Sequence, residues 1–182
     1  FAMYGIEYRL SPGVKHPTHV NDVIENLGKL IKEKGITQLH LVGHSVGATL
    51  AWQTATAVNT SKQPSGNLEI VQSCLRGIYL VDGIFSLSEL LNEYPDYIGF
   101  VSQAFSDDEE KFEEFHLSIE RLPSSVDSIH LLHSYRDELL SLRQPRYMSS
   151  LLQEHKIAFE TYFDDMGLHN EVYQSTKLAK YI

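Results

Sequence analysis

Hydrophobic residues near the start of the chain recur with the spacing of one helical face. The apolar positions that carry this period are Val20, Val23, Ile24, Leu27, Leu30 and Ile31. Intervals of three and four residues predict an amphipathic helix, which we expect from Thr18 to Lys34. Thr18 can cap its start, and Gly35 stands where a left-handed residue commonly closes a helix.

Short apolar runs bounded by turn residues predict strands. The first run, residues 1–10, stops at the turn signal Ser11-Pro12-Gly13. Four more strands are predicted at residues 38–42, 77–81, 128–133 and 157–163. Helical patterns occupy residues 46–55, 143–154 and 171–182, and residues 59–67 have the composition of a loop. Strands that alternate with helices predict an α/β fold, with a mostly parallel sheet covered by helices on both faces.

The length of 182 residues favours a single domain that spans residues 1–182. A longer segment at about 84–126 interrupts the alternation, and it combines many aromatic residues with the acidic run at 107–110. Helices packed on the sheet edge would explain this insertion. A lid that lines a pocket for an aromatic substrate would also explain it, because insertions after strand ends shape ligand sites in such sheets.

Charge and cysteine content restrict the partners. Fifteen basic and 24 acidic residues give a formal net charge of −9, and such a surface repels nucleic acid and anionic lipid. No apolar run approaches the length of a membrane span, and no signal peptide opens the chain. The one cysteine, Cys74, cannot form an internal disulfide, which favours a reducing compartment. We predict a cytoplasmic protein that binds neither nucleic acid nor membranes.

The strongest chemical signal is the pentapeptide Gly43-His44-Ser45-Val46-Gly47, a G-x-S-x-G motif. An apolar strand leads into it and a helical pattern leaves it, which is the context of a nucleophile elbow. Glycines on both sides would let the strand and helix approach closely, with Ser45 at a strained tip. The backbone N–H of Val46 would then face the oxyanion that forms during acyl transfer.

A serine hydroxyl needs a base to remove its proton and an acid to orient that base. In this elbow arrangement the acid and then the histidine follow the serine along the chain. His169 lies in a loop directly after the last predicted strand, and we predict it as the base. Asp137 follows the preceding strand and is the predicted acid, with Glu138 and Asp82 left as alternatives.

Aromatic residues close to these positions could stack on a substrate ring. Tyr135 lies beside the predicted acid, and Phe85 and Tyr94 follow the strand before it. Core packing would explain each of the three equally well.

Four segments together resemble the α/β-hydrolase fold. They are Tyr8-Arg9-Leu10-Ser11-Pro12, Gly43-His44-Ser45-Val46-Gly47-Ala48, His133-Ser134-Tyr135-Arg136-Asp137-Glu138-Leu139-Leu140 and Asp164-Asp165-Met166-Gly167-Leu168-His169-Asn170. More narrowly, they are similar to the esterases related to hormone-sensitive lipase, and within those to the kynurenine formamidase (arylformamidase) branch. The resemblance runs over nearly the whole chain.

The resemblance implies that N-formyl-L-kynurenine is hydrolysed to L-kynurenine and formate, a step of tryptophan degradation that can feed NAD synthesis. It implies a triad of Ser45, Asp137 and His169, no metal or organic cofactor, and often a homodimer. A carboxylesterase of small acyl esters is one alternative. A hydrolase-like binding protein without catalysis is another.

One family feature is absent from this sequence. A His-Gly-Gly segment, which supplies part of the oxyanion hole in the family, would lie before Phe1. Together with the eight-stranded sheet of the family, this predicts that N-terminal strands are missing from the chain, or that its catalysis is weakened.

Overall fold

The computed structural model describes residues 2–57, 66–105, 122 and 125–182. Its elements follow in the order α1 (Thr18–Lys34), β1 (Leu39–His44), α2 (Val46–Thr56), α3 (Gly66–Cys74), β2 (Leu75–Val81), α4 (Leu87–Glu93), α5 (Ile98–Ala104), β3 (Ser128–Ser134), α6 (Arg143–Glu154), β4 (Glu160–Asp164) and α7 (Thr176–Tyr181). Short 3₁₀ turns at Pro95–Tyr97 and Val172–Gln174 precede α5 and α7.

The four strands form one parallel sheet in the order β1-β2-β3-β4. Each strand pairs with the next along the chain, as in the partners Leu80 and Leu131 of β2 and β3. Parallel strands place their carboxyl ends at one edge of the sheet, where ligand sites of such folds form. The residues after β1, β2, β3 and β4 therefore meet at that edge.

Helices cover both faces of the sheet. Leu80 and Leu131 belong to the main core with α1, α2, α3 and α6. Their neighbours Val81 and Leu132 pack instead against Leu178 of α7. Because successive side chains of a strand point to opposite faces, these two clusters lie on opposite sides of the sheet. The predicted α/β fold with helices on both faces is confirmed.

The predicted helix from Thr18 to Lys34 is confirmed, and Gly35 closes it in the left-handed region at φ 63°. The predicted cap at Thr18 is wrong, because Pro17 holds the cap position and no side chain bonds the first turn. The helix is stabilised by its apolar face, which lies in the main core.

The predicted strand at residues 1–10 is wrong for the described residues 2–10, which form no strand. The segment lies along α1 instead. The carboxylate of Asp22 accepts the backbone N–H and the guanidinium of Arg9, and Asn26 donates to the carbonyl of Glu7 at 2.8 Å. Side chains of α1 therefore bond the backbone groups that a neighbouring strand would use.

Other boundaries also differ from the predictions. The last strand begins at Glu160, three residues later than expected, and residues 171–182 form a 3₁₀ turn and a separate α7. Gly66 and Asn67, predicted as loop, open α3. The rest of that loop, from 59 to 65, lies outside the described residues.

The described part of the insertion contains α4 and α5. Their apolar residues pack with Leu140 into a second small core. Gln144 of α6 fixes the entry to α4, since its amide oxygen accepts the N–H groups of Phe85 and Ser86 at 2.7 and 2.9 Å. Phe112, Phe115 and the acidic run 107–110 lie outside the described residues. Among the residues that are described, no helix is both long and apolar enough to cross a membrane.

Candidate active site

Ser45 occupies the sharp turn between β1 and α2. Its backbone has φ 57° and ψ −126°, a conformation that a non-glycine residue adopts only at a cost in strain. Its N–H donates to the carbonyl of Val81 at 2.9 Å, which ties the turn to the end of β2. The turn therefore has the strained geometry expected of a nucleophile elbow.

The two glycines of the pentapeptide differ in what they permit. A Cβ atom on Gly43 would lie 2.1 Å from the carbonyl oxygen of Gly47, so only glycine allows the strand and helix to approach this closely. A Cβ atom on Gly47 would meet nothing within 4 Å among the described residues. The expectation that both glycines prevent a clash therefore holds at Gly43, and no described neighbour requires Gly47.

Asp137 and His169 form a hydrogen-bonded pair at the same edge of the sheet. Nδ1 of His169 lies 2.7 Å from Oδ2 of Asp137, and these side chains are 5% and 0% exposed. The other oxygen of Asp137, Oδ1, accepts the N–H groups of Leu139 and Leu140 at 2.9 and 2.8 Å. Asp137 is thus fixed by its own loop and orients the imidazole.

The pair shifts the pKa values of both members. Burial alone would raise the pKa of Asp137, but the hydrogen bond from His169 and the two N–H groups outweigh it, so this pKa is lowered. Burial would likewise lower the pKa of His169, but the bond to Asp137 and the negative charge around it raise it above the ordinary value. Asp137 stays ionised near neutral pH and stabilises a proton on His169.

Two further side chains hold the histidine loop in place. Oε2 of Glu138 accepts the backbone N–H of His169 at 2.8 Å. The hydroxyl of Ser134, at the end of β3, donates to the carbonyl of Gly167 and accepts the N–H of Met166 at 3.1 Å. Glu138, considered from sequence as an alternative acid, therefore supports the loop while Asp137 bonds the ring.

The serine turn and the histidine loop meet through His44. The ring of His44, the residue before Ser45, lies 4.6 Å from the ring of His169 between centroids. It also contacts the ring of Tyr173, edge-on at 5.8 Å. Burial lowers the pKa of His44, and the positive charge of His169 lowers it further. His44 is therefore neutral when His169 takes up a proton.

The remaining predicted residues lie in different surroundings. Val46 opens α2, where the first N–H groups of a helix have no partner within it. Tyr135 is 62% exposed beside the acid loop, whereas Phe85 is 2% exposed and lies in the main core. Tyr94 stacks on Tyr97 at 5.0 Å against the second core. Phe85 therefore packs the interior, and Tyr135 has a ring that faces solvent.

A second carboxyl group lies beneath the pair. Asp82, fully buried directly after β2, accepts the N–H of Ser134 at 2.7 Å through Oδ1. Burial raises its pKa to about 7. Two sets of ligand-type atoms in the described part of the chain lie within 4.8 Å of one another, His44 with Asp82 and His169, and Asp82 with His133 and Asp137. Both sets include a member of the hydrogen-bonded pair, His169 in the first and Asp137 in the second.

Some of the supporting residues could be predicted from sequence, and others could not. Asp82 and Ser134 each follow an apolar strand directly, and a polar residue at that place in a parallel sheet is a usable signal. The roles of Ser134 and Glu138 as acceptors for the histidine loop depend on how two loops pack together. No spacing in the sequence records that contact.

Comparison with known proteins agrees with this geometry. A family described as having the alpha/beta hydrolase fold matches residues 1–105. Kynurenine formamidase of Eremothecium gossypii is 48% identical over 187 residues, which cover all of this chain and 77% of that protein. Kynurenine formamidase of Saccharomyces cerevisiae is 42% identical, with coverage of 98% and 72%. This chain belongs to the kynurenine formamidase family of α/β hydrolases. The chain spans about three quarters of the length of these relatives.

Solved structures share the fold at lower sequence identity. An acetyl ester-xyloside bifunctional hydrolase from Caldicellulosiruptor lactoaceticus superposes with a TM-score of 0.67 at 22% identity, over 96% of this chain and 64% of that one. Esterase B from Lactobacillus rhamnosis gives a TM-score of 0.69 at 16% identity, over 96% and 60%. The chain thus spans less than two thirds of these esterases, and the likeness concerns the fold alone.

Proposed function

We propose that this protein is a serine hydrolase that converts N-formyl-L-kynurenine to L-kynurenine and formate. Ser45 attacks the formyl carbon, and His169 takes up the hydroxyl proton and then gives it to the leaving aniline nitrogen. Asp137 orients His169 and stabilises its protonated ring. Water then releases formate from the formyl-serine, with His169 again as the base.

The hydrogen bond of 2.7 Å between buried Asp137 and His169 carries this proposal. It fixes the tautomer of His169, so that Nδ1 holds a hydrogen and Nε2 is free to accept the serine proton. The strained turn at Ser45 and the contact of His44 with His169 support the placing of the nucleophile on the same side. The Val46 N–H, at the first turn of α2, supports a role as oxyanion donor.

The formyl group limits the acyl side of the site. It carries no carbon chain, so a formamidase needs little acyl space, and longer acyl groups should react progressively more slowly. Tyr135, exposed beside the acid loop, is the aromatic residue that we propose to contact the anilide ring. The insertion at about 84–126 is proposed to border that ring as a lid.

The first test measures kcat/KM for N-formylkynurenine and for p-nitrophenyl acetate. We expect the formamide to be the better substrate, and the variant Ser45→Ala to lose at least about 10³-fold in activity on it. Ser73→Ala is a matched control, because its hydroxyl contacts the Ile70 carbonyl and Cys74 Sγ, both within α3 and away from the site. Activity that persists in Ser45→Ala would refute the nucleophile. A higher kcat/KM for the ester would favour a carboxylesterase. Failure of a fluorophosphonate probe to label Ser45 would favour a binding protein.

A further inference from the structure

Asp82 belongs to this buried cluster, and the reaction above does not use it. It follows β2 with φ 43°, a left-handed conformation unusual for a residue with a side chain. Its side chain is fully buried. Strained backbone of this kind persists where the surrounding structure fixes it, and it concentrates at functional sites. In this conformation the carboxyl lies at the end of β3, where it bonds Ser134.

The two oxygens of Asp82 have different surroundings. Oδ1 accepts the Ser134 N–H at 2.7 Å, which leaves the carboxyl no freedom to turn away. Oδ2 is buried and has no hydrogen-bond partner among the described residues. A buried polar atom without a partner costs free energy unless it interacts in some state of the protein. Its neighbours therefore indicate which interaction it provides.

Charged and titratable groups face Asp82 from each element around it. From β1, β3, the acid loop and the histidine loop they are His44, His133, Asp137, Glu138 and His169. Ligand-type atoms of Asp82 and His169 lie within 4.8 Å of each other. His44 and His133 are both held neutral, since burial lowers the pKa of each. His169 is the group of this set that gains a positive charge during the reaction.

We propose that Asp82 is a positioning residue for catalysis, whose carboxylate stabilises the protonated ring of His169 from beneath the Asp137–His169 pair. This inference rests on the proposed function, in which His169 is the base. A negative charge less than 5 Å from a buried imidazole acts through little water, so it acts strongly. It favours the protonated ring that forms as Ser45 attacks, and therefore it favours the transition state.

The variant Asp82→Asn tests this role with little structural change, because its amide oxygen can still accept the Ser134 N–H. We expect kcat to fall about tenfold at pH 8, with KM changed less than twofold. We also expect the acid limb of kcat/KM to move to lower pH by about half a unit to one unit, because removal of a negative charge lowers the pKa of His169. Asp127→Asn is the matched control. It removes one carboxylate just before β3, at the opposite end of that strand, and should leave kcat and the acid limb unchanged.

A purely structural role for Asp82 would lower the melting temperature without moving the acid limb. An acid limb and a kcat that both stay at their wild-type values would overturn the proposal. The rate at which a fluorophosphonate labels Ser45, measured from pH 5 to 9, reports the same acid limb and needs no formamide substrate. If the wild type is labelled but does not hydrolyse N-formylkynurenine, the proposed function fails, and the labelling rates of Asp82→Asn still decide the role of Asp82.

Nuclear magnetic resonance of the wild type keeps the proposal testable if Asp82→Asn does not fold. The ring nitrogens of His169 should titrate in two steps, because a nearby carboxyl that ionises in the same pH range couples to the imidazole. A pKa of His169 at or below the ordinary histidine value would overturn the proposal, because the ring would then gain nothing from a carboxylate beneath it.

Discussion

Two buried Asp–His pairs lie at neighbouring strand ends of this protein, and their pKa values are shifted in opposite directions. Asp137 and His169 share a hydrogen bond of 2.7 Å, with the pKa of the acid lowered and that of the histidine raised. Asp82 and His133 lie 3.0 Å apart but make no hydrogen bond through His133 Nδ1. Burial raises the pKa of Asp82 to about 7 and lowers the pKa of His133.

The difference comes from the number of donors and not from burial. Asp137 accepts two backbone N–H groups and the ring of His169, whereas Asp82 accepts, from the described part of the chain, only the N–H of Ser134. Both side chains are fully buried. Hydrogen bonds to the ionised form offset the cost of burying a carboxylate, and one bond is too few to do so. From the same residue types, the chain thus builds two pairs whose pKa values are shifted in opposite directions.

The largest expected effect comes from Asp137→Asn. The amide oxygen can replace Oδ1 as acceptor for the Leu139 and Leu140 N–H groups, which puts the amide NH₂ against Nδ1 of His169. The NH₂ group donates to Nδ1 and forces the ring hydrogen of His169 onto Nε2. With that hydrogen in place, Nε2 cannot accept the proton of Ser45. We expect kcat/KM to fall by about 10³- to 10⁴-fold, measured on N-formylkynurenine.

A circular dichroism melt of Asp137→Asn separates this effect from unfolding. The variant should melt cooperatively, because the two backbone bonds to the acid loop remain. A loss of activity smaller than tenfold would mean that Asp137 does not orient the base. The double variant with Asp82→Asn would then show whether Asp82 does so.

Asp82→Asn should change the pH dependence of stability by a smaller but measurable amount. The pKa of Asp82 rises from 3.8 to about 7 on folding, so the folded state keeps a proton that the unfolded state releases. The stability of the wild type therefore falls as pH rises from about 4 to about 7. Asn does not titrate. Relative to the wild type, Asp82→Asn should gain about 2–3 kcal/mol of unfolding free energy between pH 5 and pH 8.

Urea unfolding of both proteins at pH 5 and pH 8 measures this change. The comparison uses only the difference between the two pH values, so any constant cost of the buried amide cancels. An equal difference in unfolding free energy between variant and wild type at both pH values would show that Asp82 is ionised throughout. The contrast between the two pairs would then disappear.

The parts that were predictable from sequence are those that local patterns determine. The period of three and four fixed the limits of α1, and the apolar runs located the four strands within a few residues. Residues 2–10 were wrongly predicted as a strand. Their apolar content suits a strand, but Asp22 and Asn26 of α1 bind their backbone groups. A local pattern cannot show which distant side chain takes those bonds.

The site divides in the same way. Chain order selected His169 and placed Asp137 first among three candidate acids, and the structure brings these two side chains to 2.7 Å. The protonation state of Asp82 depends on its burial beside Ser134 and on the lack of further donors to Oδ2 among the described residues. Both of these depend on tertiary packing. A sequence locates a carboxyl group at the correct edge of the sheet, but the number of donors that reach it is known only once the loops are placed.

The smallest expected effect on catalysis comes from His133, whose pair has the same composition as Asp137–His169 but not its alignment. His133 is neutral, and its Nδ1 makes no hydrogen bond to Asp82. We expect His133→Asn to keep kcat/KM within about threefold. The smaller side chain leaves a cavity and removes the edge-on contact with Phe163 at 6.3 Å, so the unfolding free energy should fall by about 1–3 kcal/mol.

Activity and urea unfolding measured on the same preparation separate the two effects. A loss of more than tenfold in kcat/KM with a cooperative, unshifted melt would mean that the second pair also acts in proton transfer, since an unaligned neutral histidine has no other route to the reaction.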